Sequence, residues 1–370
     1  MSIIILGACG EIGRYIAFDL VKSGFNVTLA DIREFEGKKL ADKLGTRANF
    51  QKLDVMDFEK LVEVLKDHKL IVNNIGPYYM FGDWIPRATI QAGINYVDIC
   101  DDHDATRILL KMNKTVERED LTFLINSGAS AGLTNIMAKI GANQLDKVNS
   151  IRVLWFEDTG ETIGFGQLAH WAHIAMGKVP QFINGEWINI KALTDREVVK
   201  FPAPLGSAPL YFVGHPEPVT LPRYIETNEA ICKGGILPES DILLTKILDK
   251  LILLKHEKIM KLVCNFFLKI FPLITGKVEE REVISSFKTD VIGLKNQKKV
   301  HLSYAVIGQV AKLTSVPASI SAQMIANKKI NSFGVFPPEG CPDLNLELFR
   351  KELKKRNIII SEKSKRFRFV

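Results

Sequence analysis

Three glycines spaced three apart, Gly7, Gly10 and Gly13, stand between an unbroken apolar run and an amphipathic stretch, and no other feature constrains the fold as much. The run Ser2-Ile3-Ile4-Ile5-Leu6 is short and β-branched, as in a parallel strand buried on both faces. Helical spacing then carries Tyr15, Ile16, Phe18, Leu20 and Val21 to Gly24, and a second strand, Asn26 to Ala30, delivers Asp31 at its carboxyl end. Gly7 permits a tight turn, Gly10 lets backbone approach a diphosphate, and Gly13 lets the helix pack closely on the strand. Unpaired N–H groups and the helix dipole favour an anion at the helix start, so no lysine is required there. The expected dinucleotide surface is Gly7, Ala8, Gly10, Glu11, Ile12 and Gly13, with Asp31 accepting hydrogen bonds from the adenosine ribose. G-x-x-G-x-x-G spacing also serves plain turns; strand, glycines, helix, strand and acid together make the signal specific.

After Asp31, strand and helix keep alternating, which predicts a doubly wound α/β sheet. Strands are expected at Asn49–Leu53, Leu70–Asn74, Asn95–Ile99 and Leu121–Ile125, with helices beginning at Asp57 and Trp84. Functional groups should collect where these strands end. Near residue 126 the pattern changes to a small-residue loop, Ser127 to Asn135, followed by a helix, strands and two proline-rich passages. The reading is a Rossmann domain over 1–126, a second α+β domain for substrate and dimerisation over 127–315, and a C-terminal segment, 316–370, packing back on the first domain. There are no internal repeats and no low-complexity linker.

The formal net charge of +7 invites a nucleic-acid reading until it is located: nine Lys or Arg and two Glu fall between Arg350 and Val370. The remainder is balanced, and no aromatic-basic interleaving supports groove binding, so no nucleic-acid partner is expected. The five cysteines are scattered, without a C-x-x-C pair, which fits a reduced, cytoplasmic setting. No signal peptide or membrane span is expected. The apolar stretch 242–274 is broken by many lysines and reads as two amphipathic helices, with a membrane-surface helix as the sharper alternative.

Further blocks extend the pattern: Val72-Asn73-Asn74-Ile75-Gly76-Pro77-Tyr78, Gly93 to Asp102, Gly128 to Asn135, Tyr211 to Pro222, and Pro337-Pro338-Glu339-Gly340. With Gly7 to Gly13, they resemble the saccharopine dehydrogenase-like oxidoreductases over most of the chain. The resemblance implies NAD(P)-dependent hydride transfer at a carbon bonded to nitrogen, on a small amino-acid-derived substrate, by a homodimer. It also implies that Asn74, Ile75, Gly76 and Pro77 lie under the nicotinamide, with the Gly128–Gly132 loop across from them in a cleft between domains. Asp31 argues for NAD, because a carboxylate repels a 2′-phosphate, whereas Arg33 two residues on would shield one; Ile32 lies between them. The charge argument favours NAD, with NADP as the alternative. Asp54, followed by Val55, is equally an adenine contact or a cap on the helix near Asp57.

Amine oxidation or imine reduction needs a proton relay at nitrogen. Asp98, Cys100, Asp101, Asp102 and His103 are the densest titratable group at a strand end, and Asp101 is the candidate relay, although Asp102 or Asp104 would also cap the next helix. His170 and His173, at i and i+3, share a helical face, and His170 is the second candidate. Without an evident third ligand, no metal site is expected there. His215 and Glu217, between prolines, suit a turn as well as a substrate contact; Tyr78 and Asn135 are the expected substrate contacts. None of the seven tyrosines has a lysine four residues on, so short-chain dehydrogenase chemistry is missing. Hydrolase signatures are missing too. The rival class is a catalytically silent NAD(P)-binding regulatory or interaction protein with the same fold.

Overall fold

In the computed structural model, which describes residues 2–158, 165–237, 242, 245–247 and 284–366, the chain divides into two compact units. One is Met1–Ile136 with Ala311–Ile359; the other is Met137–Val310 with Ile360–Val370.

The first unit runs β1 (Ser2–Leu6), α1 (Glu11–Lys22), β2 (Asn26–Asp31), α2 (Glu34–Leu44), β3 (Ala48–Lys52), α3 (Phe58–Leu65), β4 (Leu70–Asn73), α4 (Tyr78–Phe81), α5 (Trp84–Ala92), β5 (Asn95–Asp98), α6 (His103–Lys111), α7 (Asn113–Arg118) and β6 (Thr122–Leu124). Every pairing between these strands is parallel. β1 lies between β2 and β4, which is why Ile3, Ile4 and Ile5 are apolar on both faces and fully buried. Strand order reverses at β1 and β4, the switch point where a doubly wound sheet opens a crevice at its carboxyl ends. The expected Rossmann sheet is therefore present, its strands within a residue or two of the expected bounds. Ile4, Leu6, Ile71, Tyr96 and Phe123 join helix residues such as Leu61 and Ile85 in one apolar core.

α8 (Leu133–Ala142) carries the chain onward. The second unit then holds β7 (Lys147–Asp158), α9 (Phe165–Ile174), β8 (Lys178–Ile183), β9 (Glu186–Lys191), β10 (Glu197–Lys200), β11 (Ser207–Phe212), α10 (Glu217–Tyr224), β12 (Glu229–Leu237), β13 (Ser285–Lys295) and β14 (Lys298–Gly308). α11 (Val310–Ala326), β15 (Gly334–Phe336) and α12 (Leu346–Lys355) return to the first unit, and β16 (Ser361–Arg366) belongs to the second. The second sheet is mixed: β7 pairs parallel with β12 and antiparallel with β13. β13 and β14 form a hairpin whose two loop residues, Asn296 and Gln297, both have positive φ, as a two-residue turn matched to strand twist requires.

The divisions differ from the sequence-based bounds. The loop after β6 stays with the first unit, because Ser127 N–H donates to Asp98 O at 2.8 Å. β15 adds a seventh strand beside β6, whereas β16 lies along β14, so residues 360–366 group with the second unit. The amphipathic stretch expected over 242–274 lies outside the described residues except 242 and 245–247. Among the described residues, no helix is long and apolar enough to cross a membrane.

Candidate functional site

The turn from β1 to α1 is built as its glycines demand. Gly7 has φ +71°, and its N–H donates to Ala30 O at 3.0 Å. A Cβ on Gly13 would stand 2.4 Å from Gly7 O and 2.9 Å from Ala8 Cα, so only glycine lets α1 approach β1 this closely. Gly10 is the N-cap of the twelve-residue α1 and offers no side-chain cap, leaving the first N–H groups facing the turn. This is the construction that receives a diphosphate, and the residues fit a dinucleotide on that ground.

The carboxyl end of β2 differs from expectation. Asp31 Oδ2 accepts from Cys9 N–H at 3.0 Å, and Oδ1 accepts from Arg33 N–H at 3.0 Å. The Arg33 guanidinium adds Nε to Oδ1 at 3.1 Å and Nη2 to Oδ2 at 3.2 Å. Both oxygens expected to hold a ribose are thus engaged by the protein. Burial would raise the Asp31 carboxyl, but the hydrogen bonds from Arg33 and Cys9 outweigh it and hold the group below the usual carboxylate range. Arg33 remains 45% exposed, and Nη2 lies 4.0 Å from where a Gly10 Cβ would be, so a cation stands beside the glycine turn. Ile32, Phe35 and Met56 are exposed. Asp54 Oδ1 accepts from Met56 N–H at 3.0 Å and so orders the turn around buried Val55, while Asp57 caps α3 through Lys60 N–H.

Across the switch point, Asn74 Nδ2 donates to Gly7 O at 3.3 Å, tying the segment after β4 to the glycine turn. Asn73 Oδ1 accepts from Ile75 N–H at 3.1 Å, and Asn73 Nδ2 donates to Tyr96 Oη at 3.0 Å. Tyr78, expected to touch substrate, is buried and donates its hydroxyl to Asn73 O at 2.9 Å. Asn135, the other expected substrate contact, is also buried; its Oδ1 accepts from Gly132 N–H at 2.9 Å and so shapes the 128–132 loop.

At the end of β5, fully buried Asp98 accepts at Oδ1 from Asn126 N–H at 2.7 Å and Cys100 N–H at 3.0 Å. Burial pushes its carboxyl up to about 7 despite those donors. Asp102 is buried as well, with Oδ2 accepting from Tyr79 N–H at 2.9 Å; Asp101 is half-buried. Asn126, which no sequence pattern singles out, has φ +55° and donates Nδ2 to Cys100 O at 2.7 Å and Thr106 Oγ1 at 2.8 Å. His170 and His173 lie on α9, as expected; Asp101 and His170 fall in different units.

Residues 3–123 match the family described as Saccharopine dehydrogenase NADP binding domain. A protein of Caenorhabditis elegans, "Lipid droplet localized protein", is 23% identical over 157 residues, a match covering 40% of this chain and 36% of that one. This chain thus spans about a third of the length of that curated relative. Apo histidine-tagged saccharopine dehydrogenase (L-Glu forming) from Saccharomyces cerevisiae superposes with a TM-score of 0.71 at 14% identity, over 98% of this chain and 99% of that one. Fold and glycine turn together define a Rossmann-type dinucleotide-binding protein. Residues 3–123 resemble a saccharopine dehydrogenase NADP-binding domain, and the fold is like that of the yeast saccharopine dehydrogenase. The NAD preference expected from Asp31 is not supported: the matching family is an NADP-binding one, and Arg33 covers the carboxylate on which that preference rested.

Proposed function

We propose that the protein is an NADP-dependent oxidoreductase that transfers hydride at a carbon–nitrogen bond of a small amino-acid-derived substrate. The observation that carries the cofactor reading is the Asp31–Arg33 pair beside the glycine turn. Asp31 keeps Arg33 oriented, and the exposed edge of the guanidinium offers charge and donors to a 2′-phosphate. The N–H groups of the first turn of α1 hold the diphosphate, and Asn74 to Pro77 support the nicotinamide. The cofactor, when bound, supplies the hydride. Asp101 and His170 are the proposed proton relays at the substrate nitrogen, the part of the reading that rests on sequence position and resemblance. Homodimerisation through the second unit and a cytoplasmic setting belong to the same proposal; light scattering that finds a monomer at micromolar concentration contradicts the first.

A second reading, a nucleotide-binding protein without turnover, draws on the roles of Asp98 and Asp102, whose carboxylates are held by backbone N–H groups. Incubation with NADPH and a panel of keto acid and amine pairs separates the two. Oxidation of NADPH that depends on both organic partners supports the oxidoreductase; tight NADPH binding with no oxidation across the panel supports the silent protein.

A further inference from the structure

We propose that His215, Glu217 and Cys232 form a site for a divalent transition metal of the zinc class, inside the second unit and independent of the nucleotide domain. One ligand atom from each lies within 4.8 Å of the other two, and all three residues are buried. His215 Nδ1 stands 3.4 Å from Glu217 Oε2. These separations suit a single ion at roughly 2.0–2.3 Å from nitrogen, oxygen and sulfur ligands.

The site is assembled from two places in the chain. His215 and Glu217 flank Pro216 at the start of α10, and Cys232 projects from β12. Gln181, fully buried on β8, ties the two together: its Oε1 accepts from Cys232 N–H at 2.8 Å and its Nε2 donates to Val213 O at 3.0 Å. The Trp155 ring stands 5.1 Å from the His215 ring and covers Gly234, where a Cβ would fall 2.2 Å from the indole.

Charge favours a cation here. Glu217 and Cys232 are both 0% exposed. A divalent ion bound by neutral His215, the Glu217 carboxylate and a Cys232 thiolate has no net charge, so the whole set is buried at low electrostatic cost. Loading forms one metal–sulfur bond and releases the thiol proton to solvent, with no change of oxidation state. A mixed N, O and S set suits zinc rather than calcium or magnesium. Three protein ligands match the count of zinc sites that keep a fourth position for water or substrate. The His170 ring, 5.6 Å from that of His215, borders the group.

The sequence-based expectation of no metal weighed the missing C-x-x-C pair and the His170 and His173 spacing. Cys232 is fifteen residues from Glu217, outside any compact ligand motif.

The test is metal analysis of the untagged full-length chain, followed by chelation and reloading with Co²⁺. The expected result is one zinc or one Co²⁺ per chain, with a near-ultraviolet thiolate-to-cobalt band and the intense visible bands of a tetrahedral site. Cys232→Ser should abolish the thiolate band, and Glu217→Gln should weaken Co²⁺ at least tenfold, both with NADPH affinity retained as a check on folding. If a variant does not fold, the wild type decides: stoichiometric loading should raise Tm, and chelation should reverse the rise. No stoichiometric metal, Co²⁺ bound without a thiolate band, or a band that survives in Cys232→Ser overturns the proposal.

Discussion

Arg33 grips Asp31 through two guanidinium nitrogens, Nε at 3.1 Å and Nη2 at 3.2 Å, at the end of the second strand. On the proposed NADP reading, the pair turns a position that would repel a 2′-phosphate into one that would receive it. Arg33→Ala should therefore weaken NADPH by about 10- to 100-fold, roughly 1.4–2.8 kcal/mol, with little change for NADH. Fluorescence titration of both coenzymes checks this; equal losses for the two would mean that Arg33 only supports the local fold.

Asp98 makes stability fall as pH rises. Its folded carboxyl titrates at about 7, against an ordinary value of 3.8. Between those two values the unfolded chain has lost the proton and the native protein retains it, so deprotonation favours unfolding by about 1.4 kcal/mol per pH unit. Below 3.8 the penalty is absent, and above 7 it is constant. Asp98→Asn, which keeps an acceptor for the Asn126 and Cys100 N–H groups, should flatten the slope of urea-derived stability between pH 4 and 7. An unchanged slope would place the titration elsewhere.

Gly13 and Gly24 should respond differently to alanine. At Gly13 the added Cβ meets Gly7 O and Ala8 Cα, which are backbone atoms that cannot rotate away, and the expected cost is about 2–3 kcal/mol together with loss of coenzyme binding. Gly24 has φ +91° but open space, so Gly24→Ala should cost about 1 kcal/mol and leave binding intact. Thermal melts with and without NADPH distinguish them.

The return of the chain to the nucleotide domain is secured by Arg356. Its Nε meets Asp19 Oδ1 at 2.7 Å, and Nη1 meets Glu352 Oε2 at 2.8 Å. Ser319 and Gln323 also donate to Asp19. Arg356→Ala leaves a largely buried carboxylate without its cation, and a loss of about 1–3 kcal/mol is expected in chemical denaturation. NADPH affinity should not change, since Asp19 lies far along α1 from the glycine turn.

The nucleotide domain was legible because its signals are local. Each strand is a contiguous apolar run, and Gly7, Gly10 and Gly13 act within one turn. What sequence could not show were contacts set by tertiary placement. Asp31 reads as a ribose acceptor until the turn brings Cys9 N–H and Arg33 onto its two oxygens. Tyr78 reads as a substrate contact until its hydroxyl is seen on Asn73 O. Asn126 carries no signal of its own beyond tolerance of positive φ, and the convergence of Cys232 on His215 and Glu217 depends on pairing β12 beside β8.

Calorimetric titration of the full chain with NADPH and with NADH tests the central claim most directly. The account predicts that both bind in one-to-one proportion, with NADPH at least tenfold tighter at low ionic strength. NADH binding as tightly as NADPH, or no heat with either, would contradict it.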